Sequence, residues 1–420
     1  MHIIVFYISA FILTYNLSYS DTVCYKDDVK CSEKDQARYL FYEVNAPEGF
    51  NLRRDVYMRF AVLLHHMQKS KNPSLNKFKL VLPPWSHLVH WEYREYPEKI
   101  PWGLYFDLDS LKRFAPVVEM HEFFNGYKNK YVKVVIDEVY TLQHFEDMFE
   151  TGNFEDRMKI EKCQKRNDVT FFFYDNVTSS NIQCLSYHGP ATKLADLFLN
   201  TSASTILINH AEVALHEFFG NKLYWQARRS MRFNNKLKKI GADFRKIFLN
   251  STDEEDNTVL PANWIDEKPR RNAFGGPYLA VHLRRRDFVR NRPNEAPHLD
   301  IVAHQIIKTL NRINLDTIFI ASDGTTEEIK TLTKKLSKYK VFKYTPTSEV
   351  KEKFKEGGIA IIDQIICSHA RHFVGTQEST FSFRIQEERE ILGFPIESTF
   401  NSFCSNENKC SKPSIWQIVY

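Results

Sequence analysis

The first twenty residues hold no Lys, Arg, Asp or Glu, and no later stretch is apolar over the length a membrane helix needs. Spanning a bilayer takes about 20 consecutive apolar residues, so no membrane span is expected. CxxC pairs are absent, which removes the common zinc frameworks. No repeat or low-complexity tract occurs, so solenoids and disordered arrays are excluded as well. Excess charge is also scarce: 57 Lys and Arg stand against 52 Asp and Glu, a formal net charge of +5 over 420 residues. A dedicated nucleic-acid domain concentrates far more positive charge, so nucleic acid is not an expected partner.

What the chain does contain points to the secretory pathway. Ile3–Leu13 is an apolar run, and Ser18-Tyr19-Ser20 supplies small residues before Asp21, the pattern of a signal peptide over 1–20 cleaved near Ser20. Three N-glycosylation acceptors follow, at Asn176, Asn200 and Asn250. Seven cysteines leave one without a mate. Local spacing favours Cys24–Cys31, Cys163–Cys184 and Cys404–Cys410. Cys367, beside the apolar run Ile359–Ile366, is expected to stay a buried thiol.

Hydrophobic residues make up 43% and charged residues 26%, an ordinary globular balance, and the length suits two domains. The expected division is 21–249, a polar linker at 250–271, and 272–420. In the first part, strands are predicted over 37–44 (centred on Tyr39–Tyr42), 78–82, 132–136 and 170–173. A helix starts near Leu52, with Val56, Phe60, Leu63, Leu64 and Met67 at core spacing. Further helices are predicted over 191–199 and 223–240. The second part alternates more clearly, with strands at 278–283, 317–321, 340–344 and 372–375. Helices fall between them at 298–313, after the capping box Thr325–Glu328, at 359–370, and after Ser379. Alternation of this kind implies α/β architecture with parallel sheets and right-handed crossovers.

Four places carry chemistry. Tyr278–Val281 runs directly into His282-Leu283-Arg284-Arg285-Arg286-Asp287-Phe288, which delivers positive charge to the carboxyl edge of a sheet. Arg grips phosphate oxygens with a planar fork, and that edge is where open α/β sheets bind phosphorylated ligands. Ser379, Thr380 and Phe381 follow a strand and open a helix, so free N–H groups there suit an anion, though simple N-capping explains the same residues. Asp363 reads as heading an apolar helix, where it accepts from a base or ribose or merely favours the helix start. Glu48 lies in a Pro-Glu-Gly loop, as a general base or a solvated turn residue. Two stretches are weaker. Asp107-Leu108-Asp109 has the DxD form of a metal site but precedes Ser110-Leu111-Lys112, so helix capping explains it. The aromatics Trp85, His87, His90, Trp91, Tyr93 and Trp102 either pack or line an acceptor groove.

These blocks, in this order and spacing, resemble the GDP-fucose protein O-fucosyltransferase 2 family. The likeness rests on Pro47-Glu48-Gly49-Phe50-Asn51-Leu52-Arg53-Arg54-Asp55, on Gly275 through Phe288, on Asp363-Gln364 and on Ser379 through Arg384. It runs from about Ala37 onward and leaves Cys24 and Cys31 outside. The resemblance implies a GT-B fold of two Rossmann-like domains. It implies an inverting transfer of fucose from GDP-fucose to Ser or Thr of folded thrombospondin type 1 repeats in the endoplasmic reticulum lumen. Residence there rests on the resemblance alone, because Gln417–Tyr420 carries no readable retention signal. Carried over residue by residue, Glu48 is the base and Arg284 stabilises the leaving diphosphate. Pro47, Glu48, Gly49, Phe50, Asn51, His282, Leu283, Arg284, Asp363, Ser379, Thr380 and Phe381 contact GDP-fucose. No cofactor or metal is expected, because Arg replaces an ion's charge, and a monomer is expected. Two alternatives stay open: a fucosyltransferase for EGF-like repeats, and a luminal quality-control binding protein on the same scaffold.

Overall fold

The structure is a computed structural model. It describes residues 37–46, 48–88, 98–125, 133–164, 169–292, 296–405 and 416–420. The expected signal peptide, Cys24, Cys31, Pro47, His90, Trp91, Tyr93 and Cys410 lie outside the described residues.

Two sheets organise the chain. The first draws on β1 (Arg38–Tyr42), β2 (Phe78–Leu82), β3 (Val117–Glu119), β5 (Glu138–Gln143), β6 (Arg157–Glu161), β8 (Ile182–His188) and β9 (Thr205–Asn209), in the order β3-β2-β1-β9-β5-β8-β6. A small parallel pair joins β4 (Val134–Val135) to β7 (Val177–Thr178). The second sheet comprises β10 (Gly276–Leu283), β11 (Thr317–Ser322), β12 (Lys340–Phe342), β13 (Ala370–Gly375) and β14 (Asn401–Ser402), in the order β12-β11-β10-β13-β14. Pairings within it are parallel. The first sheet departs from the parallel expectation at its edge, where β6 runs antiparallel to β8 and lies partly exposed. The central strands β1 and β9 are buried at every position, as strands covered on both faces must be.

Seven longer helices carry the covering layers: α1 (Phe50–Gln68), α2 (Lys222–Ser230), α3 (Asn235–Phe248), α4 (Leu299–Ile313), α5 (Thr326–Lys335), α6 (Ser348–Ser368) and α7 (Thr380–Leu392). Val56, Phe60, Leu63, Leu64 and Met67 of α1 are all buried in one core, as their spacing requires. Each such side chain contributes roughly 1.5–3 kcal/mol relative to exposure. The capping box at the start of α5 is present in both directions.

Several sequence readings are corrected. Thr170–Phe173 is not a strand. Phe171, Phe172 and Phe173 all take left-handed φ, 47°, 56° and 57°. The cause is the buried Glu43 carboxylate, which accepts from Thr170 N–H, from the Thr170 hydroxyl and from Phe172 N–H at 2.7 Å. An extended chain cannot aim these donors at one carboxylate. The helix read over 223–240 is two helices, α2 and α3, broken at Met231–Asn234. Asp363 does not head its helix. It lies deep in α6, which begins at Ser348 and kinks at Lys355 (φ 50°). Within the polar segment 250–271, Trp264 and Glu267 are buried, and Glu267 pairs with Arg229 and Arg232.

Cys163 and Cys184 are bridged, Cys404 is disulfide-bonded, and Cys367 is a buried free thiol. Asn176, Asn200 and Asn250 are all exposed, as glycan attachment demands. Among the described residues, no helix is long and apolar enough to cross a membrane.

Candidate active site

Each sheet has a switch point. From β10 the chain builds outward through β11 and β12, then returns to place β13 on the other side. The crevice at the carboxyl ends of β10 and β13 is where such sheets bind ligands. His282 and Leu283 end β10 there, and Arg284 follows directly. Thr376 ties the two strand ends together: its hydroxyl donates to His282 O at 3.0 Å and accepts from Arg284 N–H at 2.9 Å.

His282 is buried, stacks on Phe381 at 4.3 Å, and holds Nδ1 2.8 Å from Ser382 Oγ. Burial, with the charges of Arg284 and Lys343, pushes its pKa down to about 3, so the ring is neutral near pH 7. Ser382 Oγ also accepts from Thr376 N–H at 3.2 Å. Arg284 is held by two carboxylates, Asp323 at 2.5 Å and Asp287 at 2.7 Å. Its neighbour Arg285 turns away to Glu328 at 2.8 Å and to Pro297 O. Arg286 Nε donates to Asp323 O at 3.3 Å, and Arg284 is held between two carboxylates at the crevice.

Helix α7 starts at the same crevice. Ser379 occupies the N-cap position, but its hydroxyl makes no capping bond. Capping is thus not what these residues do, and the first-turn N–H groups keep their capacity for an anion. Lys343, just past β12, donates to Ser322 O at 2.9 Å. It adds a cation that sequence reading overlooked, since nothing in the order of residues links it to Arg284. Asp363 approaches from α6. Among the described residues its Oδ1 is buried without a partner, and burial raises its pKa to about 7 against the opposing charge of Lys343.

The first sheet has its own switch, between β1 and β9. Glu48 follows β1 at that edge. Arg53 clamps its loop, donating to Glu48 O at 3.1 Å, Ala46 O at 3.3 Å and Ser86 O at 3.1 Å. The Glu48 carboxyl is half-buried, and its pKa is raised by that burial and by Glu212, with Arg53 and Arg59 opposing. Phe50 is buried against Trp85 and belongs to the core rather than to an open surface.

The sequence blocks meet through side chains. Asn51 and Arg54 of α1 bond to Gln364, the neighbour of Asp363. Asp55 pairs with Arg384 of α7 at 3.4 Å and with Arg59 and His216. Arg228 of α2 pairs with Glu387 and Glu388 of α7 at 2.6 and 2.9 Å. Helix α1 and helices α6 and α7 are thereby locked by buried polar contacts, and the edges bearing Glu48 and Arg284 belong to one assembly.

Other candidates do not join. Trp85 and Trp102 are buried, and their rings pack together at 4.5 Å, so they are core. His87 stacks on Phe173. Asp107 caps a short helix by accepting from Ser110 N–H. Among the described residues, no group of three or more His, Cys, Asp or Glu is placed to hold a metal ion.

Comparison with known proteins fits this geometry. A family profile described as GDP-fucose protein O-fucosyltransferase matches residues 39–392. The human protein named GDP-fucose protein O-fucosyltransferase 2 is 40% identical over 407 residues, covering 94% of this chain and 92% of that one. The chain belongs to the GDP-fucose protein O-fucosyltransferase family. A Caenorhabditis elegans protein of the same name is also 40% identical, over 95% of this chain and 94% of its own. The crystal structure of POFUT1 in complex with GDP covers 89% of this chain and 99% of its own, with a TM-score of 0.55 and 16% identity, which shows the shared GT-B fold. As a member of this family, the protein is a glycosyltransferase whose donor is GDP-fucose.

Proposed function

We propose that this O-fucosyltransferase transfers fucose with inversion to Ser or Thr hydroxyls of folded thrombospondin type 1 repeats in the endoplasmic reticulum lumen. It acts as a monomer and without a metal ion. Glu48 is the base, and Arg284 stabilises the departing diphosphate. The observation that carries the reading is the meeting of the four blocks. Two sheet edges, each at its own switch point, supply an acidic group on one side and an anion-binding crevice on the other.

The chemistry follows from that division. Inversion needs the acceptor oxygen to attack from the face opposite the leaving group. An ordinary Glu, with pKa about 4.3, is a weak base for an alcohol. Burial beside Glu212 makes Glu48 stronger. On the opposite side, negative charge grows on the diphosphate. Arg284 and the N–H groups opening α7 meet it as preorganised donors. Losing one such donor costs about 10²–10³ in rate. Asp287 and Asp323 keep the Arg284 guanidinium in place until the diphosphate competes for it.

The test is incubation of a folded thrombospondin repeat with GDP-fucose and the protein, read by mass spectrometry. The parent adds one deoxyhexose mass per acceptor residue, and Glu48→Ala does not while still binding GDP-fucose. Undiminished transfer by Glu48→Ala removes Glu48 from the mechanism. Transfer to an EGF-like repeat in preference to a thrombospondin repeat moves the acceptor class. GDP-fucose binding with no turnover on either points to a binding protein.

A further inference from the structure

The second sheet carries a groove at its amino edge, the end opposite the anion crevice. Pro277, Thr317 and Lys340, near or at the starts of β10, β11 and β12, line it together with Phe248 at the end of α3 and Phe342. Its volume is about 860 Å³, which suits a ligand far larger than an ion. Asn250 stands on its rim and is the acceptor of the sequon Asn250-Ser251-Thr252. The Asn250 backbone is left-handed, φ 47°, a conformation that Asn tolerates better than most residues. The turn is pinned on both sides. Leu249 is buried, and the buried Ser251 hydroxyl donates to Asp256 and accepts from Arg245 Nη1 at 3.2 Å. Between these two buried neighbours Asn250 is exposed.

Each of the three sequons has an aromatic residue two places before its Asn: Tyr174, Phe198 and Phe248. Phe198 is fully buried and packs on Phe78. Tyr174 meets Phe124 edge-on at 4.8 Å and carries Lys99 Nζ 4.5 Å from its ring centre. Phe248 leans on Phe244 and Phe342 yet stays 49% exposed, on the wall of the groove. The first sugar of an N-glycan is a β-linked N-acetylglucosamine. C–H bonds gather on one face of that ring, made electropositive by its oxygens, and the face of an aromatic ring is electronegative. The far wall of the groove is polar. Asp316 and Lys340 form an exposed ion pair there at 2.9 Å, beside Asn314. An aromatic ring on one side and hydrogen-bonding groups on the other match the two kinds of surface that a saccharide presents.

We propose that this groove docks the core of the chain's own N-glycan. The first N-acetylglucosamine on Asn250 covers Phe248, and the sugars beyond it face Asn314, Asp316 and Lys340. The covalent tether makes the docking intramolecular, so weak contacts suffice. The proposal requires that Asn250 carries a glycan and is independent of the active-site reading. The full chain is produced in cells that add N-glycans, and peptide mass spectrometry reads occupancy at Asn176, Asn200 and Asn250. The folded protein is then treated with an endoglycosidase that cuts after the first N-acetylglucosamine. With docked and free forms at about ten to one, trimming at Asn250 should run about tenfold slower than at the other two sites. Phe248→Ser should bring it to their rate. Melting temperatures complete the test. Asn250→Asp keeps a residue that tolerates the left-handed turn but carries no glycan, and should melt about 2 °C lower than the parent. In the Phe248→Ser background the same change should have no effect. An unoccupied Asn250, or trimming there as fast as at Asn176 and Asn200, overturns the docking. An equal loss on Asn250→Asp with and without Phe248 overturns the contact with that ring.

Discussion

Asp363 offers a test in which the structure sets the magnitude. Its carboxyl titrates at about 7 because burial disfavours the charge, and Lys343 only partly offsets this. At pH 7 about half the molecules therefore hold it ionised, and at pH 6 about a tenth. Among the described residues its Oδ1 has no partner. A ligand N–H or hydroxyl that bonds to it selects the ionised form. Affinity for GDP-fucose should then fall about fivefold from pH 7 to pH 6, and approach tenfold per unit below that. At pH 7 binding should release about half a proton. Calorimetry in buffers of different ionisation enthalpy reads that release directly. GDP-fucose is the ligand to use, because neither of its phosphates carries a second ionisation in this range. Asp363→Asn should flatten the profile and weaken binding about 10- to 100-fold, the worth of one charge-assisted bond. The sign for stability is opposite. A carboxyl with a raised folded pKa costs the fold stability as pH climbs from its unfolded pKa toward 7, so Asp363→Asn should melt above the parent at pH 8 without nucleotide. A binding profile flat from pH 5.5 to 8, or a slope that survives in Asp363→Asn, refutes the reasoning.

Other expectations are simpler. Glu212→Gln removes a charge that helps raise the Glu48 pKa, so the acid limb of kcat/KM should move to lower pH; a limb that stays or moves up counts against Glu48 as the base. Replacing Cys163 and Cys184 together by Ser opens a bridge with a sequence separation of 21 and should cost about 3 kcal/mol by denaturant unfolding; no measurable loss would mean the reduced chain is already constrained there. Chelation by EDTA should leave transfer intact, since arginine supplies the charge an ion would; loss that manganese restores refutes metal independence.

Much of the second half was legible in the sequence. Tyr278–Leu283, Thr317–Ala321 and the Thr325–Glu328 box are local signals, and local signals set strands, turns and caps. The first half was harder. Thr170–Phe173 has the composition of a strand, yet Glu43, more than a hundred residues earlier in the chain, curls it into a left-handed turn. Asp363 reads from the sequence as heading a helix, whereas α6 continues through Gly357 and Gly358 back to Ser348. Packing against α3 overrides the helix-breaking tendency of that pair.

The site divides along the same line. Sequence alone marked the candidates proposed to carry the chemistry: Glu48 in its loop, the arginines that follow a strand end, and Ser379–Phe381 at a helix start. Each is a residue type set at a secondary-structure boundary, and boundaries are written locally. Only tertiary structure decided that Arg284 lies between Asp287 and Asp323 while Arg285 pairs with Glu328, that the Ser379 hydroxyl does not cap its helix, and that Trp85 and Trp102 are core. It also supplied Lys343, Asp323 and the Arg54–Gln364 contact. These depend on the register of β10 against β11 and on the approach of α1 to α6. Such contacts join residues far apart in the chain, and no local pattern encodes the meeting.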